Sequence, residues 1–226
     1  MRESAVNTVS LAAKIAEFFK TSLKKVIPER ILQERAVIIR LDPGSGRIYA
    51  RMRLLDTIGL NPINHPLVPA NASSFVFVCF GNIMRSPMAD ALLKRAAAEA
   101  KIAIRSDSAG LHAIPGKAAH PWAQAAANEL GISLAGHQAK LLTAETVENT
   151  DVIVAMDLQN VSELVSLYPR CKDKIFMLSA YAGDPRIHEI SDPYLGDLET
   201  TRQCYRLLQT CVRNLLASRT PTAPQK

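Results

Sequence analysis

The spacing of apolar and polar residues changes along the chain, and each change predicts a different kind of element. In residues 5–27 the apolar side chains recur at steps of three and four, which predicts one amphipathic helix that ends at Pro28. From residue 74 onward, short runs rich in Val, Ile and Phe alternate with longer segments of helical spacing. This alternation is typical of βαβ units, in which helices cover both faces of a parallel sheet.

The region after residue 70 therefore predicts an α/β domain of three layers, with a four-stranded parallel sheet flanked by helices. The predicted strands are 74–78, 102–106, 151–156 and 174–178, and residues 107–110 follow the second strand and suit an ordinary strand end. The predicted helices are 88–100, 121–130, 157–167 and 198–216. Such sheets bind ligands beyond the carboxyl ends of their strands, so we expect the functional residues there.

The first 70 residues predict a mainly helical extension. After the helix over residues 5–27, residues 37–53 are predicted to contain a hairpin around a turn at Asp42-Pro43-Gly44-Ser45-Gly46. Three Xaa-Pro pairs between residues 61 and 69 indicate a linker. We therefore place the domain boundary near residue 70, with the extension in 1–70 and the α/β domain in 71–226.

Charge separates these two regions further. The chain of 226 residues has a formal net charge of +6, and residues 1–70 hold eleven of its 27 basic residues but six of its 21 acidic ones. A basic amphipathic helix such as 5–27 can lie on an anionic membrane surface, associate with a second copy, or pack on its own chain. Aromatic residues make up 5% of the chain, which argues against a nucleic-acid surface built from stacked aromatics.

Cysteine and histidine usage predicts the compartment and argues against a metal site. The four cysteines have neither metal-site spacing nor the pattern of a disulfide framework, and the five histidines are scattered. We therefore expect neither a metal nor a cofactor. We also expect a cytoplasmic protein, because a reducing compartment keeps thiols free.

A loop with the features of an anion site joins the strand 74–78 to the helix that follows. Ser86 and Pro87 suit the N-cap and the first position of that helix, whose N–H groups and dipole attract an anion. Cys79 and Arg85 are six positions apart, a spacing that lets the loop curl around a tetrahedral phosphate. The helix dipole and the cation favour a nucleophilic thiolate, and the guanidinium can bind two phosphoryl oxygens.

The string V-C-x-G-N-I-x-R-S-P-M-A-D over residues 78–90 resembles the low-molecular-weight protein tyrosine phosphatase family. The resemblance covers about residues 74–217 and includes the segments 107–110, 136–140 and 192–194. It implies the fold of that family and a metal-independent protein-tyrosine-phosphatase, a phosphoric monoester hydrolase that acts through a phosphocysteine intermediate. The implied partner is a phosphotyrosine-containing protein, such as a tyrosine kinase.

The resemblance also implies roles for single residues. Cys79 is expected to be the nucleophile, Arg85 to hold the phosphoryl group, and Asp192 to be the general acid. Residues 107–110 match a loop that in the family supports the phosphate-binding loop, and Ser108 is expected to do so by pairing with Asn82. The residues expected to bind substrate are Phe80, Gly81, Asn82, Ile83, Met84, Ser86 and Tyr194.

A second Asp-Pro pair leaves the choice of the acid open on local grounds. Asp184 precedes a proline as Asp192 does, and proline forces each Asp into an extended loop conformation. We take Asp184 as the reserve candidate, since it also suits a turn. All catalytic candidates follow residue 78, so we expect the chemistry not to need residues 1–70.

Several residues depart from the family pattern or bear on rival functions. His120 and Gln138 replace residues common in the family and are expected to lie away from the phosphate. Relatives that act on phosphoarginine carry Thr at the position of Ile83, and relatives that reduce arsenate need two further cysteines. Cys204 and Cys211 are seven positions apart on one predicted helix and are expected to be core residues. A phosphate-binding module without activity is the remaining alternative.

Overall fold

The computed structural model describes residues 29–60 and 68–219, with side chains described from residue 34 onward. The helix predicted over residues 5–27 and the linker residues 61–67 lie outside these ranges. Within the ranges, the chain forms an α/β sandwich of three layers that is preceded by two helices.

Four parallel strands form the central sheet in the order β2-β1-β3-β4. They are β1 (Ser74–Cys79), β2 (Arg105–Gly110), β3 (Val152–Ala155) and β4 (Ile175–Met177). Every residue of β1, β3 and β4 is buried, as expected for a parallel sheet that is covered on both faces. The predicted fold class is confirmed.

The second strand lies further along the chain than predicted. The sequence predicts the strand at 102–106 and leaves 107–110 as either an ordinary strand end or the loop that the resemblance implies, and in the structure β2 includes all four of these residues. Its register pairs Gly110 with Cys79, so hydrogen bonds to β1 extend the strand through its polar residues. Pairing with a central strand therefore outweighs the weak strand preference of Asp and Ser.

Helices form the two outer layers. The helices of this region are α3 (Arg85–Glu99), α4 (Pro121–Glu129), α5 (Ala144–Glu148), α6 (Leu158–Leu167) and α7 (Leu198–Ala217), with 3-10 turns at Pro169–Lys174, Leu178–Tyr181 and Pro193–Leu195. One face of the sheet packs on α3, α4 and α7, and the other packs on α5 and α6. None of the helices in the described part of the chain is long and apolar enough to span a membrane.

The hairpin predicted over residues 37–53 is wrong, because this segment is helical. Helices α1 (Glu29–Arg40) and α2 (Pro43–Thr57) occupy it. Asp42 is the N-cap of α2, and its carboxylate accepts the N–H groups of Gly44 and Ser45 at 2.8 and 3.1 Å. Pro43 has the first helical position, where no N–H is needed. An Asp-Pro pair suits a helix start as well as a turn, and here tertiary packing selects the helix.

Helix α2 extends the outer layer that α6 forms. Tyr49 and Met52 are buried in the apolar cluster between the sheet and α6. A Cβ at Gly44 would come within 2.8 Å of Ser166 Oγ, so the glycine permits a close approach of the two helices. Part of the predicted extension is therefore packed directly on the α/β domain.

The end of the predicted linker is also packed. Val68 is 3% exposed, and its N–H donates to the hydroxyl of Tyr181 at 2.9 Å. The segment from residue 68 to β1 thus lies against the core. The boundary near residue 70 stays a prediction.

Candidate active site

The segment from Cys79 to Ser86, which we call the phosphate loop, connects the carboxyl end of β1 to the first turn of α3. Helix α3 begins at Arg85, before the predicted start, and Ser86 is not its N-cap. Met84 occupies the N-cap and makes no side-chain capping bond with the described residues. The first N–H groups of α3 are therefore suited to bind an anion. The Ser86 hydroxyl instead lies 3.0 Å from Cys79 Sγ.

Asn82 is completely buried and holds the phosphate loop in its turn. Its φ of 52° lies in the left-handed region, which Asn tolerates better than most residues. The side-chain amide donates to Ser86 Oγ at 2.9 Å and Ser108 Oγ at 3.0 Å, and its carbonyl accepts the Lys140 N–H at 2.8 Å. His137 Nε2 lies 2.6 Å from the main-chain oxygen of the same asparagine. The contact expected between Ser108 and Asn82 is thus present.

Strand β2 passes so close to the phosphate loop that Gly110 has no room for a side chain. A Cβ there would lie 2.8 Å from both Asn82 N and Phe80 O. Just beyond the strand, the His112 N–H donates to Phe80 O at 2.8 Å. The carboxyl end of β2 therefore forms the back of the loop.

Arg85 is 1% exposed, and two carboxylates hold its guanidinium. Nη1 donates to Asp157 Oδ2 and Nη2 donates to Asp192 Oδ2, each at 2.6 Å. Burial acts to lower the pKa of Arg85, but the charges of Asp157 and Asp192 outweigh it and raise that pKa above its usual value. The Arg85 Nε–H is buried and has no partner among the described residues, so it remains available to a phosphoryl oxygen.

Asp157 is a site residue that the sequence analysis missed. It is the N-cap of α6, where its Oδ1 accepts the Asn160 N–H at 2.7 Å while its Oδ2 accepts from Arg85. The sequence did contain a signal for it, because Asp157 directly follows a predicted buried strand and so lies at the carboxyl end of the sheet, where ligands bind.

The structure brings Asp192 to Arg85 and leaves Asp184 elsewhere. Asp192 begins a 3-10 turn, in which its Oδ1 accepts the Tyr194 N–H at 3.1 Å, and its side chain is 37% exposed. Asp184 pairs with Arg186 in an exposed turn, at 2.7 Å from Arg186 Nη2. These contacts favour Asp192 as the acid and assign Asp184 to the turn.

A cavity opens at Cys79, and most of the residues expected to bind substrate line it. They are Phe80, Gly81, Ile83, Met84 and Tyr194, together with Asp192. Asn82 and Ser86 are completely buried, and their side chains hold the loop from within.

Histidines extend the walls of this cavity. The exposed ring of Phe80 stacks on His112 with 4.5 Å between centroids, and His112 Nε2 pairs with the buried Glu163 of α6. His120 lies edge-on to Tyr194 at 5.7 Å between centroids. His112 was missed because a single loop histidine gives no sequence signal. His120 was expected to lie away from the phosphate, and its contact at this site is with the Tyr194 ring.

The two cysteines of α7 are not suited to act as nucleophiles. Cys204 and Cys211 are buried on α7, as predicted, and burial raises the pKa of each to about 12. Such thiols stay protonated near neutral pH and are poor nucleophiles. All four cysteines are free, and within residues 29–60 and 68–219 no three potential metal-binding side chains cluster.

Known proteins share this arrangement of fold and sequence. Residues 74–222 match the family of low molecular weight phosphotyrosine protein phosphatases. The protein-tyrosine-phosphatase Wzb of Escherichia coli K12 is 35% identical over 141 residues, which are 62% of this chain and 91% of Wzb. A protein-arginine-phosphatase of Bacillus subtilis is 35% identical over 140 residues, which are 62% of this chain and 92% of that protein.

Solved structures agree with these matches. A mutant of YwlE from Bacillus subtilis is similar with a TM-score of 0.61 at 33% identity, over 65% of this chain and 98% of that one. The tyrosine phosphatase AmsI of Erwinia amylovora is similar with a TM-score of 0.60 at 30% identity, over 65% and 93%. The chain belongs to the low molecular weight phosphotyrosine protein phosphatase family. The predicted enzyme class, a protein-tyrosine-phosphatase among the phosphoric monoester hydrolases, is thereby confirmed.

Proposed function

We propose that this chain hydrolyses phosphotyrosine in cytoplasmic proteins through a phosphocysteine intermediate and without a metal ion. One observation carries the proposal. Cys79 and Asp192 line the same cavity, and Asp192 is bonded to the buried Arg85. A nucleophile, a proton donor and a cation are thus within reach of one phosphoryl group.

Substrate binding must rearrange the ion pair between Arg85 and Asp192. A phosphoryl dianion offers the guanidinium new acceptors, and it competes for the bond that Asp192 makes at 2.6 Å. Asp192 is then free to take up a proton from solvent and to turn its carboxyl group toward the leaving oxygen. The bond to Asp157 keeps Arg85 oriented during this exchange.

The first chemical step transfers the phosphoryl group to sulfur. The Cys79 thiolate attacks phosphorus in line with the leaving group, so the S–P bond forms as the O–P bond breaks. Asp192 donates its proton to the leaving phenolate oxygen. Arg85 and the N–H groups at the start of α3 stabilise the charge on the transferring group.

The second step hydrolyses the phosphocysteine. Asp192, now a carboxylate, accepts a proton from water while the water oxygen attacks phosphorus and the S–P bond breaks. The Ser86 hydroxyl, 3.0 Å from Cys79 Sγ, can donate to the departing thiolate. Inorganic phosphate leaves, and Cys79 is restored as a thiolate.

The walls of the cavity support a flat aromatic substrate. Phe80 and Tyr194 are 44% and 47% exposed, and stacking on such a ring adds roughly 0.5–1.5 kcal/mol beyond area burial. Ile83 lines the cavity at the position where relatives that act on phosphoarginine carry Thr. We therefore propose phosphotyrosine before phosphoarginine, with a protein such as a tyrosine kinase as the substrate.

Matched peptides that carry phosphotyrosine, phosphoarginine or phosphoserine test the substrate class. We expect the highest kcat/KM on phosphotyrosine, and equal or higher values on phosphoarginine would contradict the assignment. Cys79→Ser should abolish turnover, whereas Cys171→Ser, which alters a partly buried thiol outside the cavity, should not.

The intermediate can be observed directly. Acid quenching within the first turnover, followed by mass spectrometry, should find phosphate on the peptide that contains Cys79. Asp192→Ala should lower kcat/KM on phenyl phosphate by about 10²–10⁴-fold. Unchanged turnover in the Cys79→Ser protein would contradict the mechanism, and complete inhibition by EDTA would contradict its metal independence.

A further inference from the structure

Helix α2 lies outside the family match, yet it contacts the segment that carries the proposed acid. Near the end of α2, Arg53 pairs with Glu189, and Asp56 Oδ1 lies 2.6 Å from His188 Nδ1. The side chains of Arg53, Glu189 and Asp56 are 20%, 19% and 7% exposed. The Arg53–Glu189 pair is therefore better shielded from solvent than ordinary surface pairs, which contribute little, whereas the His188 side chain is 42% exposed.

Arg53 is held in place from its own side of the contact. Its Nε–H is shared between Glu34 Oε2 at 2.9 Å and the Tyr49 hydroxyl at 3.0 Å, and its guanidinium lies over the Tyr49 ring at 5.2 Å. Tyr49 is 2% exposed and belongs to the apolar cluster under α6. Arg53 is thus ordered independently of Glu189, so little further freedom is lost when the two pair.

The residues that contact α2 are His188 and Glu189. They lie at most two positions before Ile190, whose main-chain oxygen Arg85 binds, and at most four positions before Asp192. Glu189 Oε2 accepts the N–H of Leu158, the first residue of α6, at 2.8 Å. The next carbonyl along the chain, that of Ile190, accepts from Arg85 Nη1 at 2.9 Å. Asp192 follows after one further residue and pairs with the other end of the same guanidinium. A short, continuous set of bonds therefore connects α2 to the proposed proton donor.

The acid segment is held by individual contacts and not by secondary structure of its own. Residues 182–192 contain no helix or strand between the two flanking 3-10 turns. Besides the bonds of Glu189, the Ser179 hydroxyl donates to His188 O at 2.7 Å, and the completely buried Ile190 donates its N–H to Met156 O at 2.8 Å. A general acid must lie within hydrogen-bond reach of the leaving oxygen, and a shift of about 1 Å can cost on the order of 10²-fold in rate.

We propose that helix α2 positions Asp192 for proton transfer, with Arg53 and Asp56 as positioning residues that act through Glu189 and His188. This inference rests on the proposed function, because it concerns the same proton donor. It also changes the expectation that the chemistry does not need residues 1–70.

Aryl phosphates with different leaving groups separate this role from simple stabilisation. Phenyl phosphate releases a basic phenolate and needs the acid, whereas 2,4-dinitrophenyl phosphate releases a stable anion and does not. The ratio kcat/KM covers every step up to the phosphocysteine, so it reports the step that needs the proton. Arg53→Ala should lower kcat/KM about tenfold on phenyl phosphate and less than about twofold on 2,4-dinitrophenyl phosphate.

Further variants distinguish the proposed positioning role from a loss of activity caused by misfolding. Arg53→Lys keeps the charge and should restore part of the activity on phenyl phosphate, and Asp56→Asn should weaken the second contact with a smaller loss. Arg51→Ala changes an exposed arginine of the same helix and should leave both rates as in the wild type. Activity on 2,4-dinitrophenyl phosphate reports an intact Cys79 site in every sample.

A double-mutant cycle completes the test. In the Asp192→Ala background, Arg53→Ala should cause no further loss on phenyl phosphate, because the group that it positions is gone. Equal losses on both esters, no loss on either, or a full additional loss in the Asp192→Ala background would each overturn the proposal. Failure of the proposed function would look different, since the wild type would then hydrolyse neither ester or Cys79→Ser would still turn over.

Discussion

The phosphate loop and helix α2 are both anchored by polar contacts, but the two anchors differ in burial and in charge. The loop is held by neutral groups of Asn82, Ser86 and Ser108 that are at most 3% exposed. Helix α2 is held by the apolar Tyr49 and Met52 and by ion pairs that remain partly exposed. We therefore expect few substitutions in the loop's anchor to be tolerated. In α2, the apolar contacts should affect the stability of the protein, and the ion pairs should affect the position of Asp192.

The largest effect is expected at Asn82, the centre of the loop's anchor. Asn82→Ala removes three side-chain hydrogen bonds and places Ala in a left-handed conformation, which should destabilise the protein by about 4 kcal/mol. Activity on both aryl phosphates should fall about 10²-fold, because the loop loses its shape. Urea unfolding and kinetics measure both effects. Asn128→Ala, at an exposed position of α4, is the control, and a stable, fully active Asn82→Ala protein would contradict this account.

The apolar anchor of α2 should affect stability without affecting the loop. Met52→Ala leaves a cavity in the cluster under α6 and should cost about 3 kcal/mol. At a temperature where the variant is folded, kcat/KM on 2,4-dinitrophenyl phosphate should match the wild type. Leu54→Ala, at an exposed position of the same helix, should change neither value. A large loss of activity on this ester would show that the two anchors are not separate.

The close approach of β2 to the loop should be sensitive to one methyl group. Gly110→Ala introduces a Cβ that meets two main-chain atoms at 2.8 Å, and neither can move without moving the loop. We expect a loss of about 2 kcal/mol and a lower kcat on every ester. Gly136→Ala, where a Cβ meets nothing within 4 Å, is the matched substitution. Wild-type kinetics in Gly110→Ala would mean that the loop is less tightly held than its contacts indicate.

The smallest effect is expected at Asp151, an exposed residue at the amino ends of the strands, opposite the end where the phosphate loop lies. The N–H groups of Ser73 and Ser74 donate to its carboxylate at 2.8 and 2.9 Å and help to lower the pKa of Asp151 to about 2. This stabilisation is complete above the unfolded pKa of about 4 and is lost as the pH falls from there to about 2. Asp151→Asn should therefore cost about 1 kcal/mol or less at pH 7, with the difference from wild type disappearing near pH 2. A difference that is independent of pH would rule out the charge as its cause.

Local sequence was most informative at the phosphate loop. The apolar run before Cys79 and the Cys-x5-Arg spacing placed Cys79 where a strand leads into a helix, and in the structure it is the last residue of β1. The same reasoning made Ser86 the N-cap, and the structure uses its hydroxyl at Cys79 instead. A serine near a helix start can cap the helix or bind a neighbour, and only the position of that neighbour decides between the two.

Local sequence was least informative before residue 60. The string at Asp42 suits a turn and a helix start equally, and the hairpin prediction failed there. The choice depends on whether Tyr49 and Met52 find apolar partners, and those partners come from the sheet and α6, far along the chain. Propensity is a weak preference that burial of this kind readily overrides.

By itself, the sequence determined the alternation of strands and helices, the parallel sheet and the identity of the loop with Cys79 and Arg85. These follow from residues that are neighbours in the chain, where spacing alone sets which side chains share a face. Only the tertiary structure decided that Asp157 and Asp192 share Arg85, that Gly110 backs the loop, and that α2 reaches the acid segment. Such contacts join residues distant in sequence, and no local pattern encodes which of them will meet once the sheet and its helices have packed.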